Sequence, residues 1–240
     1  MFCVIFAGGF GTRIASESIY KPKPMIEILS KPILLRIMDF YVSHGFNKFI
    51  VSTGYKHKYI INYFKKLKSK NIFLDFKGKK NFDNNILNSF EKSKNKNKIY
   101  VKICNTGLKA ETGGRIFYLK NLLKNEKLFF ATYGDGLSDV NLKDLLKSHI
   151  KKDPVVTVTS VRQPSRFGQI ILKKNSGYVK EFNEKPIEDS WINGGFFVIS
   201  NKIFKFLKKN ENFEKETLKK ISKYKNKLFA YKHKGFWQCV

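Results

Sequence analysis

The sequence predicts an α/β fold in which a mixed, mostly parallel sheet carries helices on both faces. Short apolar runs of strand length alternate with segments whose apolar residues recur at helical spacing, which is typical of parallel strands joined by crossover helices. Neither an internal repeat nor a linker interrupts the 240 residues, and an apolar content of 42% suffices for a substantial core. We therefore expect one domain over residues 1–240.

The first half of the chain supplies two pairs of a strand and a helix. Residues 2–6 form an apolar run with the length and composition of a buried strand. A helix is expected over 33–44 because its apolar residues fall on one face, and Gly45 is a typical residue to end it. A second strand at 49–54 and a second helix at 59–67 follow.

Residues 65–98 interrupt this alternation. They are rich in Lys and Asn and contain only short apolar clusters, such as the one at 72–74. We favour the interpretation that they form a solvated insertion, since polar connections of this length usually run over the surface.

The alternation resumes after this segment. The turn residues at 175–177 indicate a hairpin between two of the later strands. Expected strands cover 99–103, 128–133, 155–161, 169–173, 178–183 and 195–199, and expected helices cover 116–123, 142–149, 201–209 and 214–224.

The net charge of the chain is unusually high. Its 47 Lys and Arg residues against 19 Asp and Glu residues give a formal charge of +28. Such a surplus is typical of nucleic-acid-binding proteins. Here, however, the lysines are scattered through every segment and no RNA- or DNA-binding motif accompanies them. We therefore expect no specific nucleic-acid partner, only weak, salt-sensitive adhesion to polyanions.

The cysteines and the apolar runs bear on the cellular setting. Cys3, Cys104 and Cys239 are far apart and form no C-x-x-C pair, so neither a zinc site nor a disulfide framework is indicated. Cys3 lies in the first apolar run and is expected in the core. The N-terminus lacks the features of a signal peptide, and no apolar run reaches the length of a membrane span. These features predict a cytoplasmic protein with no membrane partner.

A glycine-rich turn follows the first strand. Its glycines can bring backbone N–H groups close to an anion, and its arginine adds a planar cation suited to phosphate. The spacing matches neither G-x-G-x-x-G nor the Walker A pattern. An ordinary tight turn between a strand and a helix is the alternative. The turn and the end of the strand before it comprise Phe6, Ala7, Gly8, Gly9, Phe10, Gly11, Thr12 and Arg13.

Two further segments place charged residues next to proline or glycine. Lys21 and Lys23 alternate with prolines, which makes the segment 21–25 stiff and extended because a residue before proline is held out of the α region. Asp135 lies between two glycines directly after the apolar run 128–133, at the edge where open α/β sheets bind ligands. Gly-Asp-Gly also occurs in ordinary turns, which is the alternative interpretation.

Two motifs in the second half combine a cation with polar neighbours. Arg115 follows Thr112 and two glycines, and an arginine in a chain that otherwise uses lysine suggests a need for its planar fork. Glu184 and Lys185 follow a predicted strand, where such a pair is usually a solvated edge. The four histidines are isolated from one another, and no residue has the setting of a covalent nucleophile.

Together these motifs resemble those of the sugar-1-phosphate nucleotidyltransferases, and the resemblance covers nearly the whole chain. It implies a Rossmann-like nucleotidyltransferase fold. The run 21–64 is most similar to members that transfer CMP from CTP to α-D-glucose 1-phosphate, giving CDP-glucose and pyrophosphate with Mg²⁺ as cofactor. A sister enzyme that uses another nucleotide or sugar, and a basic polyanion-binding protein, are the alternatives.

The resemblance also implies a role for each matching residue. Catalysis would rest on Arg13, Lys23 and Asp135, with Asp135 as the metal ligand. The nucleotide would contact Phe6, Ala7, Gly8, Gly9, Phe10, Gly11, Thr12, Arg13, Lys23, Thr112 and Arg115. The sugar phosphate would contact Gly168, Glu184, Lys185 and Asn193.

The resemblance also implies how the chains assemble and how much of the family fold this chain contains. The chain is expected to form a homo-oligomer, which gives residues 65–98 a second interpretation as a subunit contact. Residues 235–238 resemble a family segment that leads into a second metal-binding aspartate. Because the sequence stops at Val240, we expect the C-terminal end of the family fold to be missing.

Overall fold

The computed structural model describes residues 1–10, 20–67, 71–76, 81–92 and 98–239. Within these residues eight strands form one sheet, in the order β13-β9-β12-β7-β1-β4-β6-β5. The described strands are β1 (Cys3–Ala7), β2 (Glu27–Ile28), β3 (Lys31–Pro32), β4 (Lys48–Thr53), β5 (Ile72–Asp75), β6 (Ile99–Asn105), β7 (Leu128–Tyr133), β8 (Gly136–Ser138), β9 (Val156–Val161), β10 (Gln169–Leu172), β11 (Val179–Asn183), β12 (Ile192–Ser200), β13 (Leu228–Lys232) and β14 (Trp237–Cys239).

Helices connect most of these strands. Two of the expected helices take tighter or wider forms, since Asn201–Lys205 is a 3₁₀-helix and Phe213–Leu218 is a π-helix. The described α-helices are α1 (Ile33–Ser43), α2 (His57–Lys66), α3 (Asn84–Glu91), α4 (Thr112–Tyr118), α5 (Lys120–Leu123), α6 (Leu142–Lys152) and α7 (Lys219–Ser222). No helix of the described ranges combines the length and apolar character needed to span a membrane.

The strand pairing confirms the predicted mixed, mostly parallel sheet. β1 pairs in parallel with both β4 and β7, and β4 pairs in parallel with β6, whereas β12 runs antiparallel to its neighbours β7 and β9. Successive side chains of a strand point to opposite faces. Cys3 and Ile5 therefore pack in the core on one face, and Phe2 and Val4 pack in the core on the other.

In the described part of segment 65–98 most residues are exposed or half-buried, as expected of a solvated insertion, but one of its strands joins the main sheet. β5 lies at the edge of the main sheet and pairs in parallel with β6. Asp75 at the end of β5 is fully buried, 3.2 Å from the equally buried Lys102, and the Tyr100 hydroxyl donates a hydrogen bond to it at 2.5 Å. Phe90 of α3 is also buried. A few inward-facing residues thus outweigh the polar composition of the segment.

Candidate active site

The carboxyl ends of β1, β4, β6 and β7 meet at one edge of the sheet because these strands run in parallel. The strand β1 carries Phe6 and Ala7, both buried, and Gly8 follows it. Phe10 is half exposed, with its ring centroid 5.4 Å from that of Tyr55 after β4. Of the predicted glycine turn, Gly11, Thr12 and Arg13 lie outside the described residues.

The guanidinium of Arg115 packs directly against Gly8. Its Nη2 donates to the Gly8 carbonyl at 2.7 Å, and its Nη1 donates to the Thr106 hydroxyl at 2.8 Å and to the Thr53 carbonyl at 3.1 Å. Arg115 thereby joins the loops that follow β1, β4 and β6. Burial lowers the pKa of Arg115 to about 10, so the side chain stays charged at neutral pH.

The two glycines before Arg115 have a packing role. A Cβ on Gly113 would lie 2.7 Å from the Glu211 carbonyl oxygen, and one on Gly114 would lie 3.0 Å from the backbone of Asn210. The Gly114 N–H donates to the same Glu211 carbonyl at 2.9 Å. The pair therefore lets α4 approach the segment before the π-helix closely enough to fix the position of Arg115.

Lys23 and Asp135, predicted separately as catalytic residues, form an ion pair. Their Nζ and Oδ2 atoms are 2.7 Å apart, and the side chains are 10% and 25% exposed. Pro24 holds this arrangement because its ring packs where a Cβ of Gly134 would lie, at 2.8 Å. The Gly134 N–H also donates to the Phe6 carbonyl at 3.0 Å. An ammonium and a carboxylate thus stand together at the end of β7.

The donor set at this edge fits a hard divalent cation. Within the described ranges no group of three His, Cys, Asp or Glu residues is placed to bind a metal. Mg²⁺, however, usually takes one or two protein carboxylates and completes its octahedral shell with water and substrate phosphate oxygens. Asp135 is a carboxylate of this kind, partly open to solvent. It could hold such an ion together with a polyphosphate ligand.

The predicted sugar-phosphate residues fall into two groups. Gly168 lies against Glu184, since a Cβ at position 168 would be 2.9 Å from the glutamate Oε2. Lys185 follows with a φ of +44°, a left-handed conformation that a lysine rarely adopts. Glu184 and Lys185 are both exposed, next to the hairpin of β10 and β11. Strain in an exposed charged residue is a feature of ligand-binding segments.

Asn193 forms the second group, at an irregularity in β12. Its Oδ1 accepts from the Gly195 N–H at 2.8 Å, and its Nδ2 donates to the Tyr133 hydroxyl at 2.9 Å. Gly195 has a φ of +77°, and a Cβ there would lie 2.3 Å from the Tyr133 ring. Trp237 supports the same segment by donating from Nε1 to the Gly194 carbonyl at 2.6 Å. The Asn193 amide is therefore held in one orientation.

Sequence reasoning missed Tyr133 and Glu214, which connect predicted site residues to one another. The Thr112 hydroxyl donates to Glu214 Oε2 at 2.7 Å, and the Tyr133 hydroxyl donates to Glu214 Oε1 at 2.5 Å. Tyr133 immediately precedes Gly134 and Asp135, which was a usable signal. Glu214 lies in a Lys- and Glu-rich stretch that resembles any solvated helix, so its sequence gave none.

Comparisons with known proteins agree with this geometry. The Nucleotidyl transferase family profile matches residues 2–240. "Glucose-1-phosphate cytidylyltransferase" of Salmonella typhimurium is 36% identical over 251 residues, which cover 99% of this chain and 90% of the relative. "Probable glucose-1-phosphate cytidylyltransferase" of Bacillus subtilis is 38% identical over 250 residues, which cover 100% and 91%.

A solved structure shares the fold over the full chain. HddC from Yersinia pseudotuberculosis superposes with a TM-score of 0.68 at 25% identity, covering 100% of this chain and 93% of the other. Its complex with GMP-PN gives a TM-score of 0.64 at 26% identity, covering 99% and 92%. The chain is therefore an enzyme of the nucleotidyl transferase family, and it belongs with the glucose-1-phosphate cytidylyltransferases.

Proposed function

We propose that this enzyme transfers CMP from CTP to α-D-glucose 1-phosphate, forming CDP-glucose and pyrophosphate. The observation that carries the proposal is the pair of Lys23 and Asp135, 2.7 Å apart at the carboxyl edge of the parallel sheet beside the glycine turn. The Salmonella typhimurium and Bacillus subtilis relatives, whose names describe this activity, are 36% and 38% identical over nearly the whole chain, which supports the choice of substrates.

The reaction needs charge neutralisation more than proton transfer. A phosphate oxygen of glucose 1-phosphate, already anionic at neutral pH, attacks the α-phosphorus of CTP in line with the bond to the β-phosphate. The new P–O bond forms as that bond breaks, and pyrophosphate leaves with its electron pair. No general base is required. The main obstacle is the repulsion between two polyanions, which positioned cations and N–H groups reduce.

Several residues of the site would together position the substrates and neutralise their charge. We propose that the backbone of Gly8 and Gly9 contacts the triphosphate and that the Lys23 ammonium contacts both the α-phosphate and the attacking phosphate. Asp135 would hold a divalent ion, which we propose to be Mg²⁺. Such an ion, when bound, neutralises phosphate charge. Arg13, Thr12 and Gly11 are assigned to the triphosphate by resemblance to the family.

The sugar phosphate is assigned to the other side of the site. We propose that Lys185 binds its phosphate and that Glu184, Gly168 and Asn193 contact the sugar. The left-handed backbone of Lys185 and the fixed amide of Asn193 support a binding role for both. A homo-oligomeric assembly stays a prediction of the family resemblance, and a cytoplasmic location stays a prediction from the N-terminal sequence and the short apolar runs.

A substrate panel tests the proposed function. Pyrophosphate release is measured with CTP, UTP, dTTP and GTP, each combined with glucose 1-phosphate or mannose 1-phosphate, in the presence of Mg²⁺. Asp135→Asn serves as the matched control, because it removes the metal ligand without changing side-chain shape. CTP with glucose 1-phosphate should give the highest kcat/KM. A higher value with another pair would instead identify a sister enzyme.

The same assay separates the polyanion-binding alternative. Binding to a polyanion weakens steeply with salt, because it depends on counterion release, and it does not depend on the identity of a nucleotide base. A thermal shift that appears with CTP and Mg²⁺ at high salt would therefore favour the enzyme. Equal shifts with any polyphosphate, lost at high salt and without pyrophosphate release, would contradict it.

A further inference from the structure

A chain of four hydrogen-bonded side chains crosses the site from α4 to β12. The Thr112 hydroxyl donates to one carboxylate oxygen of Glu214 at 2.7 Å, and the Tyr133 hydroxyl donates to the other at 2.5 Å. Asn193 in turn donates from Nδ2 to the Tyr133 oxygen at 2.9 Å. One carboxylate thus connects a residue assigned to the nucleotide with a residue assigned to the sugar.

Glu214 sets the direction of the two hydrogen bonds that it accepts, and the Gly195 N–H fixes the Asn193 amide. An ionised carboxylate only accepts, so both hydroxyl groups must donate to it. Burial, with the nearby Glu214 charge, raises the pKa of Tyr133, which keeps its proton available to donate. The Tyr133 oxygen then accepts from Asn193 Nδ2, and Asn193 Oδ1 accepts from the Gly195 N–H. A neutral amide at position 214 would offer an acceptor oxygen to only one of the two hydroxyl groups and a donor NH₂ to the other.

The backbone around Glu214 is held on both sides. Phe213 is fully buried, and its N–H donates to the Thr112 hydroxyl at 3.1 Å. The Asn212 side chain accepts from the Lys215 N–H at 2.8 Å, which caps the π-helix. A π-helix is rare and is frequently found at functional sites. Glu214 is the residue of this π-helix that bonds to Thr112 and Tyr133.

We propose that Glu214 is a positioning residue that fixes the nucleotide side of the site through Thr112 and the sugar side through Tyr133 and Asn193. The inference rests on the proposed function, which assigns Asn193 to the sugar, and on the family resemblance, which assigns Thr112 to the nucleotide. Glu214 itself need not touch either substrate. Its effect is to keep the two binding groups in fixed orientations relative to one another.

Three substitutions separate the two branches. Tyr133→Phe removes the hydroxyl that joins Asn193 to Glu214 and leaves the bond from Thr112 to Glu214 in place. It should raise KM for glucose 1-phosphate about tenfold with KM for CTP unchanged. Thr112→Val removes the bond to Glu214 and the acceptor of the Phe213 N–H, and it should raise KM for CTP by a similar factor. Glu214→Gln should raise both KM values, because it affects both branches.

A matched control lies on the same π-helix. Glu216 is exposed, and its Oε2 accepts from the Asn212 N–H at 2.6 Å, a bond that a glutamine oxygen can keep. Glu216→Gln should therefore leave both KM values within twofold of the wild type. The melting temperature of each variant is measured alongside, so that loss of folded protein is distinguished from a change in KM.

Two outcomes would overturn the inference. One is that Glu214→Gln leaves both KM values unchanged; the other is that Tyr133→Phe and Thr112→Val each raise both KM values equally. If Glu214→Gln does not fold, Glu214→Asp takes its place, because it keeps the charge but is too short to hold both hydroxyl groups; unchanged KM values for both substrates would again overturn the inference. Failure of the proposed function would give a different result, namely a wild-type enzyme that prefers another pair of substrates. The KM values of the variants are then compared on that pair.

Discussion

Replacing Gly8 with alanine tests whether Arg115 holds the glycine turn in place. A Cβ at position 8 would lie 2.1 Å from Nη1 and 2.4 Å from Cζ of Arg115, well inside van der Waals contact. Arg115 is only 3% exposed and its guanidinium is bonded to Thr53, Thr106 and Gly8, so it cannot swing aside while keeping these partners. Either the guanidinium or the turn has to move.

The cost follows from the bonds that would be lost. A hydrogen bond from a charged donor contributes about 1.5–3 kcal/mol. The two shortest bonds of Arg115 join it to the Gly8 carbonyl at 2.7 Å and the Thr106 hydroxyl at 2.8 Å. Losing both should lower the free energy of unfolding by about 3 kcal/mol or more. For a chain of this size that corresponds to a fall in Tm of about 6 °C or more.

The neighbouring glycine provides the matched control. Gly9 is exposed, and no described atom lies within 4 Å of the position of its Cβ. Gly9→Ala should therefore change the free energy of unfolding by less than about 0.5 kcal/mol. Both variants are compared with the wild type by urea unfolding and thermal melting. Equal stability of Gly8→Ala and Gly9→Ala would refute the role given to Arg115.

Three further predictions concern charge. Lys23→Met should lower kcat about 10²–10³-fold, because it removes a cation from the reacting phosphates, and near-normal turnover in a steady-state assay would contradict this. Asp135→Asn should abolish metal-dependent pyrophosphate release with Tm within a few degrees of the wild type, since the side chain is partly exposed. Activity of Asp135→Asn equal to that of the wild type in saturating Mg²⁺ would contradict the metal role. His149 is buried, which lowers its pKa to about 4 from 6.5. Protonation of the unfolded chain should therefore reduce the free energy of unfolding by about 3 kcal/mol from pH 6.5 to 4, and urea unfolding of His149→Gln should lack this part of the pH dependence.

Local sequence patterns were sufficient for most of the elements. Apolar runs and helical spacing predict β1, α1, β4, β7 and β12 to within a few residues, because these patterns reflect which face of an element is buried. The same patterns failed for β5, whose surroundings are polar. Its burial comes from pairing with β6 and from an ion pair with Lys102, and neither partner is close in the sequence.

The candidate site, too, could be predicted from the sequence only in part. The sequence by itself determined that a glycine turn follows β1 and that Asp135 follows a buried strand, since residue type and the adjacent apolar runs carry this information. Only the tertiary structure brought Lys23 to Asp135, 112 residues apart, and placed the Arg115 guanidinium on Gly8. Only the tertiary structure, too, made Glu214 the link between Thr112 and Tyr133. The physical reason is that residue periodicity encodes the burial of an element, whereas the order of strands in the sheet decides which distant side chains meet at its edge.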